Sequence, residues 1–375
     1  MRFLFAIALL VCAAFAAEVS FEGTLEADYG TFLKKDFVVN NAVNQDLRLK
    51  MNVDLDENAR VVVGVASVGS YFSRDSSAQQ YSYSRIYRNG ATPIGSDDRW
   101  SPFLFDGISF EWTVKRDLTF IFGDLSYSFG SFNYYYWRNP DNYAAILETQ
   151  GLRGLGVRLG SDGYIYLGAS DSNDKTGRIA ASYAIPIINQ INHKFVINPM
   201  LDFSAGSKEG GRDHRYTVGL DANYSRSYTD FNYAVRTMYG LHPSHGKYIN
   251  TFTLEPSFNY KRFSLASTCY LASLPDNETD DPNEIPVTIK NTYAPDKSLI
   301  YIEPSVSINK KFSIGVGGEW HNSDNNDELE DWFLIAPTFY LYPTAGMDLS
   351  FWLGYAIIKD RYNNPSFGIS SSVVF

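Results

Sequence analysis

Apolar and polar side chains alternate at every second residue over long stretches of this chain, and that period constrains the fold more than any other feature. Near the start, Val19, Phe21, Leu25, Ala27 and Tyr29 share one parity, while Glu18, Ser20, Glu22, Thr24, Glu26 and Asp28 share the other. The next segment repeats the pattern, with Leu47, Leu49, Met51, Val53 and Leu55 set against Asp46, Arg48, Lys50, Asn52 and Asp54. Only an extended strand sorts such residues onto two faces, because a helix would scatter them around its surface. Tyr216, Val218, Leu220, Ala222 and Tyr224 continue the rule, and Phe231, Tyr233 and Val235 follow a short polar turn as the second arm of a hairpin. Residues 300–308, 312–320 and 347–357 repeat it. Between Leu118 and Ala169 the parity is weakest: Leu118, Phe120 and Phe122 compete with Ile121, Leu125, Tyr127 and Phe129 for the apolar face.

The joins between these segments alternate in length. Tight polar turns are predicted at residues 56–58, 116–117, 161–163, 225–227, 261–262, 310–311 and 343–346, and longer joins at 73–101, 130–151, 206–213, 241–247, 273–297 and 321–331. Short turns on one rim and long loops on the other are the plan of a transmembrane antiparallel up-and-down β-barrel, and a soluble sandwich has no reason to sort its connections this way. Counting hairpins predicts about 18 strands, with 16 as the alternative, both even as this barrel class requires.

Composition agrees with that plan. Aromatic residues make up 16% of the chain, yet its mean hydropathy is −0.22. After the N-terminus no apolar run approaches the roughly 18 residues of a membrane-spanning helix. A barrel places its lipid-facing residues at alternate positions and so hides them from a running average. Arg2, the apolar run 3–11 and Ala14-Phe15-Ala16 read as a secretory signal peptide over residues 1–17, leaving 18–375 as one barrel domain. The mature chain then keeps Cys269 alone and can form no internal disulfide. A net charge of −10 argues against nucleic acid as a partner.

The last segment sets Pro365, Phe367, Ile369, Ser371, Val373 and Phe375 on one parity and ends on an aromatic residue. Here the chain resembles the porin-like outer-membrane β-barrel proteins of bacteria, whose final strand alternates in this way and closes with Phe. The resemblance implies residence in outer-membrane lipid and recognition of the strand ending in Phe375 by the outer-membrane assembly machinery. It leaves open a homotrimer. The terminal strand must pair with the first, since an open edge in hydrocarbon leaves backbone groups unsatisfied. A barrel of this girth is too wide for side chains alone to fill.

If the apolar parity faces lipid, the opposite parity lines the lumen and turns Glu22, Glu26, Arg48, Lys50, Asp202, Arg215, Asp221, Arg236, Glu255, Glu303 and Glu319 inward. Charges on a pore wall orient solutes and set ion preference, although such residues also pair across strands, as Glu26 and Arg48 could. The join at 130–151 carries Phe132, Asn133, Tyr134, Tyr135, Tyr136, Trp137, Arg138 and Asp141. The porin resemblance suggests a constriction loop there, and flat rings beside amide and charged groups suit sugar binding; an extracellular aromatic girdle with a solvated tip explains them equally well. Two acidic stretches, around Asp276 to Glu284 and Asp324 to Asp331, lack the spacing of a calcium loop and read as solvated loops. The chain has five histidines, and no serine or aspartate partner is fixed for His242, His245 or His321, so no enzyme and no cofactor is implied. The expected function is passive or weakly selective diffusion of small hydrophilic solutes, carbohydrates among them. The alternative is a surface-exposed adhesion or glycan-binding barrel with a blocked lumen.

Overall fold

Alternating residues pair into a single antiparallel sheet. The computed structural model describes residues 18–33, 39–72, 104–128, 149–170, 177–205, 214–244, 247–273, 298–322, 332–358 and 365–375. The signal segment at 1–17, the aromatic stretch 132–141 and the two acidic stretches lie outside them. The first strands are β1 (Glu18–Leu33), β2 (Val39–Asp54), β3 (Ala59–Phe72), β4 (Leu104–Lys115), β5 (Leu118–Ser128), β6 (Thr149–Leu159) and β7 (Gly163–Ser170). There follow β8 (Gly177–Tyr183), β9 (Ile185–Gln190), β10 (His193–Ser204), β11 (Arg215–Ser227), β12 (Phe231–Ser244) and β13 (Lys247–Tyr260). The last are β14 (Phe263–Ser273), β15 (Ser298–Asn309), β16 (Phe312–Asn322), β17 (Trp332–Thr344), β18 (Met347–Ile358) and β19 (Pro365–Val374). β8 and β9 both pair with β10 and are interrupted only at Ala184, so they form one stave, and the described residues make a barrel of 18 staves.

Closure is direct. β19 pairs with β1 from Thr24 opposite Val374 to Phe32 opposite Ser366. Beyond that register Gly23 N–H donates to Phe375 C=O at 2.8 Å and Phe375 N–H donates to Gly23 C=O at 3.1 Å. A sheet closed in this way leaves no edge, which is the condition for β-structure in hydrocarbon. The seam is also tightly packed: a Cβ on Gly368 would fall inside the Trp352 ring and against the Tyr29 carbonyl, so only glycine fits there.

Eight connections of two to four residues lie on one rim, from 55–58 to 345–346, together with Glu18 and Phe375. Two of the two-residue turns carry a left-handed residue, Lys261 at φ 53° and Gly346 at φ 87°. Several joins differ from the sequence expectation. β11 runs through Ser227, so the turn predicted at 225–227 lies at 228–230, closed by Tyr228 N–H donating to Phe231 C=O at 2.7 Å. β12 and β13 stay paired as far as Ser244 opposite Lys247, which shortens the predicted 241–247 loop to residues 245–246.

Burial is inverted relative to a protein folded in water. Large apolar side chains on the outer parity stand exposed, among them Phe21, Leu155, Leu167, Leu353 and Ile357, whereas Glu319, Asp221 and Asp202 on the inner parity are 1%, 3% and 4% exposed. Such an exterior is stable only against lipid. In the ambiguous stretch, Phe120 and Phe122 face outward and meet Trp112 and Phe110. Ile121, Leu125 and Tyr127 face inward and bury themselves with Leu152, Tyr166, Ala180, Met200 and Met238. Both parities read apolar there because one side solvates in lipid and the other packs a patch of the lumen wall. Aromatic rings gather near the short-turn rim, where Phe231 meets Tyr228, Tyr233 and Phe258, and Lys261 lies over Tyr260. Rings with one polar end favour the headgroup level. Tyr340, near the Lys310–Lys311 turn, is not part of that girdle. It points inward and donates to Glu303.

Candidate functional site

The inner parity forms a polar wall organised around buried carboxylates. Glu111 on β4 lies directly across from Arg60 on β3 and accepts from its Nε at 2.8 Å and its Nη2 at 2.7 Å. Arg158 on β6 reaches across β5 to the same carboxylate, with Nη2 at 2.8 Å. Asp202 on β10 holds Arg178 of β8 through Nε at 2.7 Å and also accepts from the Tyr127 hydroxyl on β5 at 2.7 Å. Asp221 on β11 holds Arg236 of the neighbouring strand at 3.3 Å and the Asn223 amide at 3.1 Å.

These pairs share an orientation. The Arg60 and Arg158 side chains are 40% and 34% exposed against 10% for Glu111, and Arg178 and Arg236 are likewise more exposed than Asp202 and Asp221. The carboxylate sits against the wall and the guanidinium covers it on the lumen side. Fork-like hydrogen bonding to a carboxylate fixes a guanidinium plane in a way that a lysine would not match.

On β13 to β16 the carboxylates meet hydroxyls. Glu255 accepts from Thr268 at 3.4 Å. Glu303 accepts from Tyr301 and, at 2.5 Å, from Tyr340. Its carboxylate lies over Gly315, where any Cβ would collide with Glu303 Oε1. Glu319 is buried on the same face, opposite Tyr301 in the register. On β1 and β2, Glu22 stands opposite Lys50 and accepts from Asn52 at 3.1 Å, while Arg48 lies opposite Thr24 and diagonal to Glu26. Arg215 opens β11 opposite Ser204, but its side chain, like those of His242 and His321, lies outside the described set, as does His245 altogether. Among the described residues no group of His, Cys, Asp and Glu could hold a metal ion.

Sequence reasoning did not single out Arg60, Glu111, Arg158, Arg178, Tyr127 or Tyr301. Arg60 and Glu111 carried a signal, since each alternates with Val61 and Val63 or with Phe110 and Trp112. β8 is too short for parity to place Arg178.

The described residues thus make a closed barrel of 18 staves, apolar outside and charged within, with eight short turns on one rim. The fold is that of the outer-membrane porins. Over 96% of this chain and 99% of theirs, it superposes on Pseudomonas aeruginosa OccK9 (OpdG) with a TM-score of 0.57 at 11% identity. A BenF-like porin from Pseudomonas fluorescens Pf-5 matches with a TM-score of 0.56 at 8% identity, covering 96% of this chain and 98% of that one. Acinetobacter baumannii OccAB4 matches with a TM-score of 0.53 at 9% identity, over 96% and 98% respectively. No family model and no curated protein matches the sequence.

The buried pairs of this porin barrel predict a stability effect. Asp202→Ala takes the carboxylate from the Arg178 guanidinium, whose side chain is 19% exposed in the wall, and removes the Asp202 acceptor of the Tyr127 hydroxyl. Breaking a buried pair from one side costs about 3 kcal/mol. The urea midpoint of the protein refolded in lipid vesicles is expected to fall accordingly; an unchanged midpoint would show that the pair adds nothing to the wall.

Proposed function

We propose that the protein is a channel of the bacterial outer membrane through which small hydrophilic solutes diffuse passively or with weak selectivity. One observation carries this reading: the face turned away from lipid is lined with arginine and carboxylate groups, which only water or a polar solute can solvate across a barrel of this girth. The short-turn rim would face the periplasm and the long connections the exterior. Residues 18–375 act as one unit behind a cleaved signal at 1–17, and Phe375 closes the seam that the assembly machinery completes.

The connection between β5 and β6 holds Phe132, Asn133, Tyr134, Tyr135, Tyr136, Trp137, Arg138 and Asp141, and we assign it the constriction. In support, the strands that flank it carry the apolar lumen patch of Leu125, Tyr127 and Leu152, a surface on which aromatic residues can pack. Stacking rings beside Asn133 and Arg138 would favour carbohydrate among the permeants. Single-channel recording in planar bilayers tests both claims. Stable open channels are expected, and deletion of residues 133–142 is expected to raise unitary conductance by about twofold, the order set by widening the narrowest part of a pore. An unchanged conductance would remove the loop from the constriction. Persistent silence of the wild-type protein would favour the surface-binding barrel instead.

A further inference from the structure

Ionisable side chains are distributed unevenly around the lumen. On β1 to β12 every inward cation described above has acids nearby. Arg48 and Lys50 share their wall with Glu22 and Glu26, and the guanidiniums of Arg60, Arg158, Arg178 and Arg236 rest on Glu111, Asp202 and Asp221. That side is close to neutral.

The strands β13 to β19 are different. Among the described residues they contain no lysine or arginine except Lys247, the first residue of β13. The same strands turn Glu255, Glu303 and Glu319 into the lumen wall, and Asp348 follows near the short-turn rim. Between these acids the wall offers hydroxyls, from Thr253, Thr268, Ser350 and Ser370. A hydroxyl donor, as from Thr268 to Glu255 or from Tyr340 to Glu303, orients a carboxylate without cancelling its charge.

We propose that this wall gives the channel a preference for cations, so that small amines and guanidines pass more readily than anions of the same size. The inference rests on the protein being an open channel. Carboxylates set in a low-dielectric wall direct their field toward the water-filled side, and partly buried charges are screened by salt less than exposed ones. The opposite wall does little to offset that field, because the guanidiniums of Arg60, Arg158, Arg178 and Arg236 are already held on carboxylates.

Reversal potentials in a KCl gradient across planar bilayers test the proposal. The wild-type protein is expected to pass K⁺ more readily than Cl⁻. Replacing the wall acids together, Glu255→Gln with Glu303→Gln and Glu319→Gln, is expected to lower the permeability ratio by about twofold or more. Ser370→Lys, which plants a cation on the same wall without disturbing a buried acid, is expected to lower it as well. Glu57→Gln, in the exposed turn between β2 and β3, is expected to leave it unchanged. A conducting channel whose ratio is one or less overturns the cation preference alone, as does a ratio that neither the triple variant nor Ser370→Lys moves. A protein that never conducts overturns the channel reading together with this one.

Discussion

A chain lacking residues 367–375 is expected to form no stable barrel in detergent or lipid. β19 is paired on both sides, with β18 from Met347 opposite Val373 to Tyr355 opposite Pro365, and with β1 through Phe32 opposite Ser366. Removing it breaks both ladders and uncovers two edges. An unsatisfied backbone group in hydrocarbon costs several kcal/mol, and a folded domain has only about 5–15 kcal/mol of stability in total. A few orphaned groups therefore exceed everything that holds the sheet together. Refolding from urea into detergent micelles separates this effect from recognition by assembly machinery. The full mature chain should give a heat-modifiable band on electrophoresis and the truncated one should not. A truncated protein that still resists detergent unfolding would mean that closure through β19 is not what stabilises the sheet.

The second large effect distinguishes the two faces of one seam. Leu353 is 56% exposed on the outer face of β18, in the middle of the strand and opposite Phe367. Leu353→Arg places a charge in hydrocarbon and is expected to cost about 2–4 kcal/mol near the bilayer midplane. Ser370, on the adjacent strand and opposite Ser350, faces the lumen. Ser370→Arg should cost less than about 1 kcal/mol, because a lumen side chain keeps its contact with water. Denaturant titration in vesicles measures both. Equal losses would contradict the assignment of apolar residues to lipid and polar residues to the channel.

The contrast also shows why so much of this fold was legible in the sequence. In a barrel the two environments differ as strongly as oil and water, and each strand samples them at alternate residues. Parity therefore reports the face directly for β1, β2, β11 and β18. Parity fails where the lumen face is itself apolar. On β5, Phe120 and Phe122 meet lipid while Ile121, Leu125 and Tyr127 pack against Leu152, Tyr166 and Met200, and hydropathy alone cannot separate the two. Tyr340 lies near a short turn like the girdle aromatics, yet it shares the parity of the buried Leu334, Ala336 and Thr338 and so turns inward, where it donates to Glu303 two staves away.

Which charges meet depends on register. Glu111 gathers Arg60 from 51 residues upstream and Arg158 from 47 residues downstream, and Tyr127 reaches Asp202 from 75 residues away. No local pattern encodes such distances. They follow from the register of neighbouring staves.

The sequence by itself determined the class of solvent on each side of the wall and the need for closure, and narrowed the strand count to 18 or 16, because these follow from side-chain period and from the cost of an unpaired backbone in lipid. The tertiary structure alone decided the pairing of Arg178 with Asp202 and the seating of Glu303 over Gly315. The first set depends on each residue and its immediate neighbours in the chain. The second depends on which strands are brought side by side and at what offset, a property of the closed sheet as a whole.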